Sequence, residues 1–188
     1  MRRWWATVAV LALCCALEAT GAAAQQGGQP GPIQLHDDKF SPYRDFTTGQ
    51  IRAGSYPNLL GVELVGRVER KTGMVTTLLK VEFAYVGEHK RGYESARNSS
   101  AQPLGFTKVS SNRRCQVNGP CTHSEIFTVE VPQAELRQAP SEGYQLKVFA
   151  RNGPSAVVGI PKATIVALFA RIDADRGGKA KPATPKPN

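Results

Sequence analysis

The sequence predicts a mainly β protein, an antiparallel β-sandwich or sheet with a single C-terminal α-helix. Three observations carry that expectation. Apolar and polar residues alternate over several stretches, the period-two signature of half-buried strands. Turn-forming residues punctuate those stretches. One segment near the C-terminus places apolar residues at helical spacing.

Val62, Leu64, Gly66 and Val68 alternate with Glu63, Val65, Arg67 and Glu69, so one face is apolar and the other largely charged. Thr72-Gly73 supplies a turn, and a second strand runs from Val75 to Val86 with Leu79, Val81, Phe83 and Tyr85 on its core face. The two form an antiparallel hairpin. Upstream, the segment around Phe40, Phe46 and Ile51 is expected to add an edge strand. The polar stretch from Gly87 to Ala101 reads as a long loop. Leu104 and Phe106 restart a strand that runs toward Arg114. Phe127, Val129 and Val131 then alternate with Ile126, Thr128 and Glu130 until Pro132 ends the run, and Ala134 to Gln138 reads as a helical turn. Tyr144, Leu146, Val148 and Ala150 define another strand. Asn152-Gly153-Pro154 turns the chain into a short one ending near Ile160.

The helix is expected over about 161–173. Pro161 suits its first position, where the missing N–H has no helical partner anyway. Ile165, Leu168, Phe169 and Ile172 make one apolar face, and Asp173, Asp175 and Gly177-Gly178 close the segment.

The chain ends read differently. Residues 1–24 have the form of a cleavable signal peptide: Arg2-Arg3, an apolar run from Trp4 to Leu17, then Thr20-Gly21-Ala22-Ala23-Ala24 with small residues at the cleavage positions. That run is shorter than the about 20 residues that cross a bilayer. The expected location is periplasmic or extracellular, with cleavage near Ala24. Arg2-Arg3 fits both general secretion and the twin-arginine route. Leu13 before Cys14 does not suit a lipid-anchored form. Residues 25–34 are a Gly/Pro/Gln leader and 174–188 a basic Lys/Pro tail, both too polar to offset their ordering entropy. A single domain is expected over 35–173.

Export changes the cysteine arithmetic. Of four cysteines, Cys14 and Cys15 leave with the signal, and Cys115 and Cys121 remain. A lone pair in an oxidising compartment reads as a disulfide. The intervening Asn118-Gly119 is a strong turn signal, so the bond is expected to staple a hairpin tip. The competing reading gathers Cys115, Cys121 and His123 around zinc or copper, but no second Cys/His pair completes that site. A redox role is also weaker, because such pairs are usually spaced C-x-x-C. His36-Asp37-Asp38 resembles ligand chemistry but reads as solvated turn formers. No metal and no cofactor are expected.

Charge points to partners. The chain carries 24 basic and 15 acidic residues, +9 overall; without the signal, 22 basic face 14 acidic, +8. Such a balance favours anionic partners or serves solubility alone. Export ranks nucleic acid last among them. The 87–101 stretch is long for a connection and carries Lys90, Arg91, Tyr93 and Arg97, with Tyr93 as a candidate aromatic anchor. Arg113 and Arg114 extend the basic set if this stretch packs beside the staple. Asn98-Ser99-Ser100 matches a glycosylation sequon. No nucleophile elbow, metalloprotease, phosphate-loop or dinucleotide pattern occurs, and Glu125 and Glu130 read as exposed strand residues. The expectation is a non-enzymatic exported β-domain that binds an acidic envelope component or a protein partner. Two alternatives stay open: an assembly protein that pairs through a sheet edge, and a metal-assisted envelope enzyme.

Overall fold

A computed structural model describes residues 31–51, 58–117 and 119–178. The signal peptide expected over 1–24, most of the leader and residues 179–188 of the tail lie outside the described residues, as does Asn118.

The protein is mainly antiparallel β with a C-terminal helix, as the alternation implied. The strands are β1 (Gln34–His36), β2 (Tyr43–Thr47), β3 (Leu59–Glu69), β4 (Val75–Val86), β5 (Tyr93–Asn98), β6 (Pro103–Cys115), β7 (Cys121–Glu130), β8 (Tyr144–Ala150) and β9 (Ala156–Ile160). Two helices, α1 (Gln133–Arg137) and α2 (Lys162–Gly178), complete it. All nine strands join one curled sheet in the order β1-β2-β3-β4-β7-β6-β5-β8-β9. Every pairing is antiparallel.

Curling lets one face of the sheet enclose its own core. Val62, Leu64 and Val68 of β3, Leu79, Val81 and Phe83 of β4, and Phe127 and Val129 of β7 are all buried. They meet Leu146, Val148, Val158 and Ile160 from β8 and β9 in one cluster. Each strand contributes every second residue, as the period-two pattern of β3, β4, β7 and β8 implies; the inward face of β9 emerges only in the fold. Ile165, Leu168, Phe169 and Ile172 of α2 join the same cluster. The helix closes on β2 and β3, where Gly66 leaves room for it: a Cβ there would lie 2.4 Å from Ile172 Cδ1. An ion pair between buried Arg44 of β2 and Asp175 of α2 fixes the contact. Arg137 of α1 binds both carboxylate oxygens of Asp173, tying the two helices together.

Four expectations about elements change. The region around Phe40, Phe46 and Ile51 holds one strand, β2, but β1 pairs on its outer side and takes the edge position expected for it; Phe46 is core, Phe40 is exposed in a turn, and Ile51 makes an isolated bridge to Val62. Gln34 already belongs to β1. The helix continues past 173 to Gly178, because Asp173 and Asp175 pair with Arg137 and Arg44 instead of terminating it. Most consequential, the 87–101 stretch is not all loop, since β5 lies within it. A bulge between Tyr93 and Ser95 breaks the alternation, and the inward side of β5 is Tyr93, Ala96 and Asn98, too mixed to read as apolar.

Candidate functional site

Two features stand out at the end of the sheet where β4, β7 and β6 run on together: a buried polar cluster and an exposed basic arm. Along β7, Cys121, His123, Glu125, Phe127 and Val129 share the inward face and are all buried. Cross-strand register sets Tyr85 of β4 beside His123 and Arg113 of β6 on its other side.

Glu125 organises the cluster. Its carboxylate accepts the hydroxyl proton of Tyr85 and the backbone N–H groups of Gly92 (3.0 Å) and Tyr93 (3.2 Å). Tyr85 in turn accepts the N–H of Arg91 at 2.7 Å. The segment 91–93 therefore crosses the inner face as a strap tied to β4 and β7. Burial, reinforced by the hydrogen bond to Glu125, holds the Tyr85 hydroxyl well above the usual phenol range. The Arg91 guanidinium covers the Tyr85 ring at 4.3 Å, and His123 stacks on that ring with centroids 5.2 Å apart. His123 Nε2 meets the Gly87 carbonyl at 3.0 Å, while its buried Nδ1 has no partner among the described residues.

Cys115 and Cys121 form the expected disulfide across directly opposed positions of β6 and β7, with Cα atoms 3.9 Å apart. Gly119 N–H donates to the Gln116 carbonyl and closes the tip. With both sulfurs joined, His123 has no thiolate pair to share a metal with. Among the described residues no group of three or more His, Cys, Asp or Glu side chains is placed to hold one. Upstream, Asp37 pairs with Arg70, and Asp38 accepts the N–H of Phe40 in a turn, so both acidic groups serve local structure.

The basic arm is the outer part of β6. Lys108, Arg113 and Arg114 are exposed, and Pro103 to Cys115 contains no acidic residue. Arg113 projects to the same side as His123, where its Nη2 reaches Cys121 Sγ at 3.2 Å. Arg114 projects to the other side, opposite Thr122. β5 pairs with β6 only at Ala96–Leu104 and Arg97–Pro103. From Gly105 to Cys115, the outer edge of β6 meets no other strand among the described residues.

The residues singled out in the sequence thus separate. Arg91 and Arg113 flank the Tyr85–His123 stack, and Arg114 lies on the reverse face of the same arm. Arg97 stands opposite Pro103, eleven positions from Arg114 along β6. That is roughly 35 Å at strand rise. There it covers Phe149 with Lys147. The four arginines are therefore not one patch. Tyr93 is 1% exposed and stacks on Phe83 at 4.5 Å, so its ring belongs to the core and is not available as a surface anchor. Asn98 of the sequon is also buried: its Nδ2 donates to Glu135 and Gln102, and its Oδ1 accepts from Ser100 and Gln102.

The sequence pattern suggests a surface position for Glu125 and a purely apolar role for Tyr85, whereas the fold buries both and joins them by a hydrogen bond. The signal was present, since Glu125 is two positions from Phe127 and four from Val129 in a period-two strand. No family model, curated protein or solved structure matches this chain.

Proposed function

We propose that this chain is an exported, non-enzymatic binding module that engages an anionic partner through the basic arm of β6. The observation that carries the reading is the arm itself: three exposed cations, no carboxylate from Pro103 to Cys115, and a strand presenting them. Placing cations on both faces of one strand, beside a disulfide, suits recognition better than uniform solubilisation does. Export is supported by the composition of residues 1–24 together with the disulfide, which persists in oxidising compartments. Among the described residues no helix is long and apolar enough to cross a membrane. Cleavage after Ala24 is checked by intact mass of the exported protein, which should begin at Gln25.

Binding is tested with immobilised polyglutamate and the chain lacking residues 1–24. K108Q/R113Q/R114Q should elute at clearly lower salt than wild type, whereas K39Q/K71Q/R151Q, which removes the same charge from other exposed positions, should move little. Equal shifts in the two variants would mean that only net charge matters and would defeat the proposal.

A further inference from the structure

We infer that the outer edge of β6 is a strand-addition site for an extended acidic polypeptide of another protein. The inference rests on the binding role proposed for the arm and names its partner class and mode.

An unpaired strand edge offers backbone donors and acceptors that a partner chain can complete. Which residues offer them here follows from the ladder. Gly87 N–H donates to the Cys121 carbonyl, so the backbone groups of Cys121 point toward β4 and away from β6. Cys115, opposite Cys121, must then direct its own N–H and C=O away from β7. Alternation carries the same orientation to Arg113 and Ser111, up to the irregularity between Lys108 and Ser110. Ser110, Asn112 and Arg114 spend their backbone groups on β7. The edge, unpaired among the described residues, therefore presents Ser111, Arg113 and Cys115, with the disulfide holding its end in place.

Charge selects the occupant. A strand laid along this edge has Arg113 and Lys108 on one face and Arg114 on the other, so acidic side chains on either face find a cation. A second copy of this chain is the wrong partner. Pairing two β6 edges gathers three cations from each into one ribbon without a carboxylate, and like charges across strands destabilise the pairing.

The test uses the chain lacking residues 1–24, disulfide intact, and a synthetic peptide of about eight residues in which Glu alternates with Val, a length typical of strands. Amide hydrogen exchange is followed by NMR with saturating peptide. Exchange at Ser111, Arg113 and Cys115 should slow at least roughly tenfold, while Asn112 and Arg114, already bonded to β7, stay unchanged. S111P removes one outward N–H without touching the β6–β7 ladder and should abolish that protection. K108Q/R113Q/R114Q should weaken peptide binding by roughly tenfold or more, the sum expected of three exposed ion pairs. Peptide binding without alternate protection would overturn strand addition yet leave the anionic-binding role standing. Alternate protection that grows with protein concentration in the absence of peptide would make a second copy the occupant and overturn the inference. Loss of polyglutamate retention in the triple variant with no binding of the alternating peptide at all would overturn strand addition and leave the arm a surface that attracts anions by charge alone.

Discussion

Replacing Glu125 should destabilise this protein more than any exposed carboxylate on its surface. Glu125 is only 4% exposed and accepts from Tyr85, Gly92 and Tyr93. Alanine removes both acceptor oxygens, and with them three hydrogen bonds, and takes this partner from two donors in the core, the Tyr85 hydroxyl and the Tyr93 N–H, with Gly92 half-buried beside them. An unsatisfied buried donor costs about 1–3 kcal/mol, so E125A should lose about 4 kcal/mol after partial relaxation. Glutamine keeps the shape and one acceptor oxygen, which can serve Tyr85 and Gly92. Its amide then faces the Tyr93 N–H donor to donor, for a loss of about 2 kcal/mol. Urea denaturation measures both, with the slope showing whether the strap 91–93 has also loosened. Adding Y85F to each variant completes a double-mutant cycle, and a coupling of about 1 kcal/mol is expected between the directly bonded pair. If E125A costs no more than about 0.5 kcal/mol, the level of an ordinary surface substitution, the carboxylate does not tie the strap and the reasoning fails.

Three further outcomes follow from the same structure. Tyr85 and Tyr144 both have phenol groups raised above 10.0, by burial first and by hydrogen bonds to Glu125 and Glu135 second. Their stabilisation is fully present below pH 10 and is lost as pH rises beyond it, so stability should fall there by up to about 1.4 kcal/mol per pH unit for each tyrosine. Y85F and Y144F should each flatten that alkaline slope in chemical denaturation. D175N leaves the buried Arg44 guanidinium without its counter-ion and should cost about 3 kcal/mol in thermal or urea unfolding; a neutral result would show that solvent reaches Arg44. G66A forces a methyl group against Ile172 Cδ1 and should cost about 1–2 kcal/mol, with I172V restoring part of it; failure of that rescue would place the strain in the β3 backbone instead.

The period-two strands and the i, i+3, i+4, i+7 face of α2 were legible because burial selects residues locally, at the repeat of each element. The pairing of Cys115 with Cys121 was legible for a similar reason: a separation of six positions and the turn-forming Asn-Gly dipeptide in the sequence leave the two sulfurs few other places to go. β5 was hidden because a bulge disrupts its repeat and its inward residues include an asparagine that Glu135, far along the chain, satisfies. The role of Glu125 was hidden in the same way. Its face could be read from β7, but its donors come from β4 and the strap, and only the folded sheet brings them within hydrogen-bond reach.

The basic arm shows the same division. Residue order alone places Arg113 and Arg114 next to a cysteine pair. Tertiary structure decided that β5 leaves β6 after Leu104 with no other strand on that edge among the described residues, that Arg97 stands opposite the far end of β6, and that Tyr93 turns inward. Local pattern fixes what a strand carries on each face. Which of its edges remains unpaired depends on how distant strands are ordered, and that is settled only when the sheet closes on its core.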